Sequence, residues 1–121
     1  GSTGRSSKTG VIRLNQFNQY QEEARRTLNT EVEAQYLLAN LGMGLAGEAG
    51  EVCDYLKKVV FHGHQLDPAR VSEELGDVLW YLANVADAAG LSLGEIAEQN
   101  IAKLRKRYPN GFEQIRSQQR A

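Results

Sequence analysis

At 121 residues the chain has room for one core and not for two domains on a linker, since a chain of this size buries only about two thirds of its unfolded surface. A formal net charge of -1 speaks against wrapping a nucleic-acid polymer, which needs an excess of Lys and Arg along one face. The single Cys53 excludes an internal disulfide and has no zinc-ligand spacing near it, so it reads as a buried filler.

No stretch reaches the 18 or more apolar residues of a membrane-spanning helix, and the start lacks the apolar run of a secretory signal. These features predict a soluble, cytoplasmic protein with no membrane partner. Residues 1–10 carry no large apolar side chain and read as a disordered tag or N-terminal extension. A single domain is expected over 11–112, followed by a C-terminal tail over 113–121.

From Leu14 onward the apolar residues recur with helical period, and neither proline interrupts the pattern. The first helix is expected from about Asn15 to Leu28, with Phe17, Tyr20 and Ala24 on its apolar side. The second is expected from Glu31 to Val60, with a stripe of Leu38, Leu41, Leu45, Ala49, Val52, Leu56 and Val59. Asp67 followed by Pro68 is an N-cap with proline at the first helical position, opening a third helix to Ala89 with stripe Val71, Leu75, Val78, Leu82 and Val85. Gly90 ends it, and Ser92 to Glu95 has the spacing of a capping box that opens a fourth helix to Tyr108. Pro109-Asn110-Gly111 is a turn. The fold class expected is all-α, an antiparallel four-helix bundle.

Beside these stripes run polar rows. Glu48, Glu51, Tyr55 and Lys58 follow i, i+3, i+7, i+10 on the second helix, and Glu74, Asp77, Tyr81 and Asn84 repeat that spacing on the third. One E-x-x-E pattern alone is the ordinary mark of a solvated helix face. Two on consecutive antiparallel helices, each bordering the core stripe, can bring four carboxylates together. Such a cluster is unfavourable unless a cation compensates it, and all-oxygen ligation suits Mg²⁺ or Mn²⁺.

Gly42, Gly44, Gly47 and Gly50 also lie on the second helix, at about 1 kcal/mol each against alanine. Close approach of another helix or room for a ligand would offset that cost. Asn100, Lys103 and Arg107 form a row on the fourth helix, in a C-terminal stretch rich in basic residues. The row either complements the negative end of that helix or meets anionic phosphates held at the acids. His62 and His64 have no glutamate three residues before them, which excludes the E-x-x-H pattern of di-iron bundles and leaves them as loop histidines. Trp80, Tyr55 and Tyr81 could stack on a base, although aromatics at helical spacing equally fill a core or an interface.

Three blocks in order, Gly47-Glu48-Ala49-Gly50-Glu51-Val52-Cys53-Asp54, Glu73-Glu74-Leu75-Gly76-Asp77-Val78-Leu79-Trp80-Tyr81-Leu82, and Asn100 to Phe112, resemble the MazG-like nucleoside triphosphate pyrophosphohydrolases. The resemblance spans Leu14 to Phe112. It implies the all-α NTP pyrophosphatase fold and Mg²⁺-dependent cleavage of a (deoxy)nucleoside triphosphate to monophosphate and pyrophosphate, with a part in cleaning the nucleotide pool. On the matching positions it implies Glu48, Glu51, Glu74 and Asp77 as metal ligands, with Glu48 or Glu51 as base. Lys58, Asn100, Lys103 and Arg107 are then the candidates for holding substrate. It implies a homodimer or homotetramer as well. Many members carry a further glutamate where this chain has Gly47, which leaves fewer candidate bases. Two other readings remain: a relative restricted to one nucleotide such as dUTP or dCTP, and a helical interaction module without turnover.

Overall fold

The computed structural model describes residues 9–111, with side chains from residue 16 onward. The tail expected over 113–121, and all but the last two residues of the expected extension over 1–10, lie outside the described residues. Four helices follow in order: α1 (Thr9–Arg25), α2 (Ala34–Phe61), α3 (Pro68–Ala88) and α4 (Leu93–Arg107). The fold is all-α, as the helical period requires, and no named strand occurs among the described residues. No helix of the described chain is long and apolar enough to cross a membrane.

The boundaries differ from expectation mainly in α1. It begins at Thr9, because a helix once nucleated gains a hydrogen bond for each residue added. It ends at Arg25, where Thr27 and Leu28 donate to the carbonyls of Ala24 and Arg25 in tight i to i+3 turns. The other ends follow the expected chemistry. Asp67 caps α3 by accepting from the Ala69 N–H at 3.1 Å, and Ser92 caps α4 by accepting from the Glu95 N–H. Gly90, at φ +75°, turns the chain out of α3 while Leu91 N–H donates back to the Ala86 carbonyl.

Ala24, Ala83 and Leu93 form the buried centre, with Phe17, Tyr20 and Trp80 packed around it. This core is the junction of α1, α3 and α4, and small alanines there let the helix backbones approach closely. A polar staple reinforces it. Gln21 of α1 donates to the Leu91 carbonyl and accepts from the Leu93 N–H, while Asn18 accepts from the Ser92 hydroxyl and the Gly94 N–H. The open amides at the start of α4 are thus satisfied by side chains of α1, a long-range cap that no local motif announces. Arg25 pairs with Asp87 at 2.9 Å nearby.

α2 packs along α3, and α4 packs on α1. The α2–α3 hairpin is antiparallel, with Gly44 beside Tyr81 at one end and Tyr55 beside Asp67 at the other. Its stripes are only partly covered: Leu41 is buried, but Leu56, Leu75, Leu79 and Leu82 keep 41%, 51%, 38% and 37% of their surface exposed. Cys53, expected to be buried, is exposed, because α2 is covered on its α3 side and Cys53 points elsewhere.

Candidate metal centre

Midway along the hairpin the two polar rows meet. Glu48 from α2 and Glu74 and Asp77 from α3 each offer a carboxylate oxygen, and these oxygens all lie within 4.8 Å of one another. Asp77 follows Glu74 by three residues, so both carboxylates sit on one face of α3, one above the other. Antiparallel pairing then delivers Glu48 opposite them. Glu51 stands one turn further along α2, outside the close trio.

Electrostatics follow from this crowding. The Glu48 carboxyl is pushed above its ordinary value, first by partial burial, then by repulsion from Glu51, Asp77 and Glu74 and by its hydrogen bond with Glu51. Oxygen-only ligands, clustered and mutually repelling, fit a hard divalent cation, which would hold the group ionised and cancel the repulsion. Nothing in the donor set suits a soft metal.

Two tyrosines flank the trio. Tyr81 is one turn beyond Asp77 on α3, and its ring lies where a β-carbon at Gly44 would stand, one turn before Glu48 on α2. Gly44 is therefore a close-approach glycine, whereas a β-carbon at Gly42, Gly47 or Gly50 would meet nothing within 4 Å. Tyr20 enters from α1. Burial and the nearby Asp77 carboxylate raise its hydroxyl above the ordinary value. In sequence Tyr20 was legible only as one residue of an apolar stripe; its nearness to Asp77 depends on how α1 crosses α3.

Other expected site residues are placed apart. Lys58 makes an ion pair with Asp54 at 3.1 Å on its own helix and thereby holds the Asp54 carboxyl below its ordinary value. Tyr55 is buried and serves the α2–α3 connection: its hydroxyl accepts from the Asp67 N–H at 2.9 Å, and Arg70 lies 4.4 Å over its ring. Asn84 is withdrawn entirely into the core, donating to the Trp80 carbonyl. His62 and His64 are exposed in the connection after α2. Asn100, Lys103 and Arg107 lie exposed on α4, which packs on α1, touches α3 lightly and forms no packed interface with α2.

Residues 38–112 match the family model of the MazG nucleotide pyrophosphohydrolase domain, a span that contains all of these acids and the basic row of α4. The Gene 37 protein of Mycobacterium phage L5 is 35% identical over 78 residues, covering 61% of this chain and 68% of the phage protein. No solved structure matches the chain.

Proposed function

Because the chain belongs to the MazG nucleotide pyrophosphohydrolase family, we propose that it hydrolyses a (deoxy)nucleoside triphosphate at the α–β anhydride, in an Mg²⁺-dependent reaction that releases monophosphate and pyrophosphate. The observation that carries this reading is the convergence of Glu48, Glu74 and Asp77 oxygens within 4.8 Å across the α2–α3 cleft.

In this proposal Glu48, Glu74 and Asp77 hold the cation, with Mn²⁺ able to replace Mg²⁺. The cation supplies charge neutralisation and Lewis acidity toward the phosphate oxygens. Glu51, one turn along α2 from Glu48 and outside the trio, orients the attacking water and takes its proton. The oxygen of that water forms the new P–O bond, the anhydride P–O bond breaks, and pyrophosphate leaves with the electron pair. Lys103 and Arg107, with Asn100 beside them, steady the phosphates, and Lys58, paired with Asp54 at the far end of the α2 row, joins them only by leaving that pair.

The separation of α4 from α2 bears on how those cations reach the acids. Together with the exposed stripe of Leu56, Leu75, Leu79 and Leu82, it supports a homodimer or homotetramer in which a second copy covers the hairpin. Two hairpins facing each other would form a four-helix layer around their shared leucines.

The test is incubation with each NTP and dNTP in the presence of Mg²⁺, with products separated by chromatography. Monophosphate and pyrophosphate are expected. Diphosphate with orthophosphate overturns the assignment of the bond, and turnover of a single nucleotide identifies a restricted relative. Binding of a non-hydrolysable triphosphate without turnover of any substrate identifies an interaction module instead.

A further inference from the structure

Thr27 stands in the connection after α1, outside both helices that carry the acids. Its hydroxyl donates to the Ala24 carbonyl at 2.8 Å, which orients the oxygen to accept the indole N–H of Trp80, also at 2.8 Å. That indole in turn meets the ring of Tyr81 edge to face, with centroids 5.0 Å apart and planes at 88°. Asn84 fixes the backbone between them by donating to the Trp80 carbonyl at 3.0 Å. The Tyr81 ring itself fills the space over Gly44, one turn along the hairpin from Glu48 and Asp77.

Tyr81 is thus confined from three sides: by the backbone of α2, by its own helix, and by a perpendicular indole that is hydrogen-bonded to one hydroxyl from the α1–α2 connection. The ring stands one helical turn from Asp77, so a nucleotide whose phosphates were held at the acids would have it as a neighbour. We propose that Thr27 and Trp80 are positioning residues, which hold Tyr81 as the wall of the site and thereby set the affinity for nucleotide without touching it. The inference rests on the hydrolase reading above for the identity of the ligand.

The test uses the full chain and a double-mutant cycle. Thr27→Val keeps the shape of the side chain and removes the acceptor, and Trp80→Phe removes the donor from the other side. Each is expected to raise KM roughly 3- to 10-fold, the range of one neutral hydrogen bond, and to leave kcat within about twofold. The double variant is expected to match the worse single one, because the two act through one bond. Thr27→Ser, which keeps the hydroxyl, is expected to restore KM. Trp80 is the only tryptophan, so Thr27→Val also shifts its emission and increases its quenching by acrylamide.

Additive effects in the double variant, an unchanged KM beside a shifted emission, or failure of Thr27→Ser to rescue overturns the positioning role while leaving the hydrolase reading intact. If the wild-type chain turns over no triphosphate, that reading fails alone. The same cycle is then read in the dissociation constant of a non-hydrolysable triphosphate by calorimetry, and a chain that binds none overturns both.

Discussion

The side-chain oxygen of Gln21 accepts the backbone N–H of Leu93 at 2.9 Å, joining residues 72 apart in the chain. The same amide donates to the Leu91 carbonyl, so one nearly buried side chain satisfies both sides of the α3–α4 corner. Replacing Gln21 with Leu preserves bulk and strands two backbone groups. Each unsatisfied buried group costs about 1–3 kcal/mol. The expected result is a fall in melting temperature on the order of 10 °C, read by circular dichroism.

Glycines of α2 should divide into two classes. Gly47→Ala and Gly50→Ala place a methyl in open space and gain helix propensity, so each is expected to stabilise the helix by up to about 1 kcal/mol. Gly44→Ala drives a methyl into the Tyr81 ring, and such overpacking costs about 1–3 kcal/mol. Denaturant midpoints of the three variants should therefore move in opposite directions.

Because the folded state raises the proton affinity of Glu48 above that of the unfolded chain, the folded state binds more protons between the two values. Metal-free protein should lose stability as pH rises from the ordinary carboxylate range through the raised value. Added Mg²⁺ should reverse the loss by binding the ionised form, and Glu48→Gln should flatten the dependence. Melting curves against pH, with EDTA and with Mg²⁺, give the answer. A metal-free wild type that grows more stable over that interval while Glu48→Gln does not would contradict the crowding argument.

Asp77→Asn and Glu51→Gln are expected to abolish nucleotide turnover while preserving helical content. Removing one carboxylate relieves repulsion in the metal-free state, so neither variant should melt below wild type in EDTA. Product chromatography and circular dichroism on the same preparations separate lost chemistry from lost fold.

Leu75 is the most exposed of the four leucines on the hairpin stripe. Leu75→Glu places a charge where a second copy would pack, and a buried unpaired charge opposes association by several kcal/mol. Sedimentation is expected to show an oligomer for wild type and a monomer for the variant. A monomeric wild type would remove the second copy from the proposal.

Much of this architecture is local and therefore readable along the chain. Helical period placed all four helices, Asp67-Pro68 and Ser92 marked two starts, and Gly90 marked a stop, because each is decided by residues within one or two turns. The acid rows were equally legible: i, i+3 spacing puts two carboxylates on one face whatever the rest of the fold does.

What the linear pattern could not contain is register and crossing. Only the antiparallel seating of α2 on α3 decides that Glu48 meets Glu74 and Asp77 while Glu51 stands one turn aside. Only the crossing of α1 over α3 brings Tyr20 toward Asp77, Thr27 to Trp80 and Gln21 to the start of α4. Lys58 and Tyr55 share the acids' row in sequence, yet a neighbouring Asp54 and the α2–α3 connection engage them. Spacing along one helix sets which side chains share a face, but which faces meet is settled by long-range packing of small against large residues, a property of helix pairs and not of any single stretch of chain.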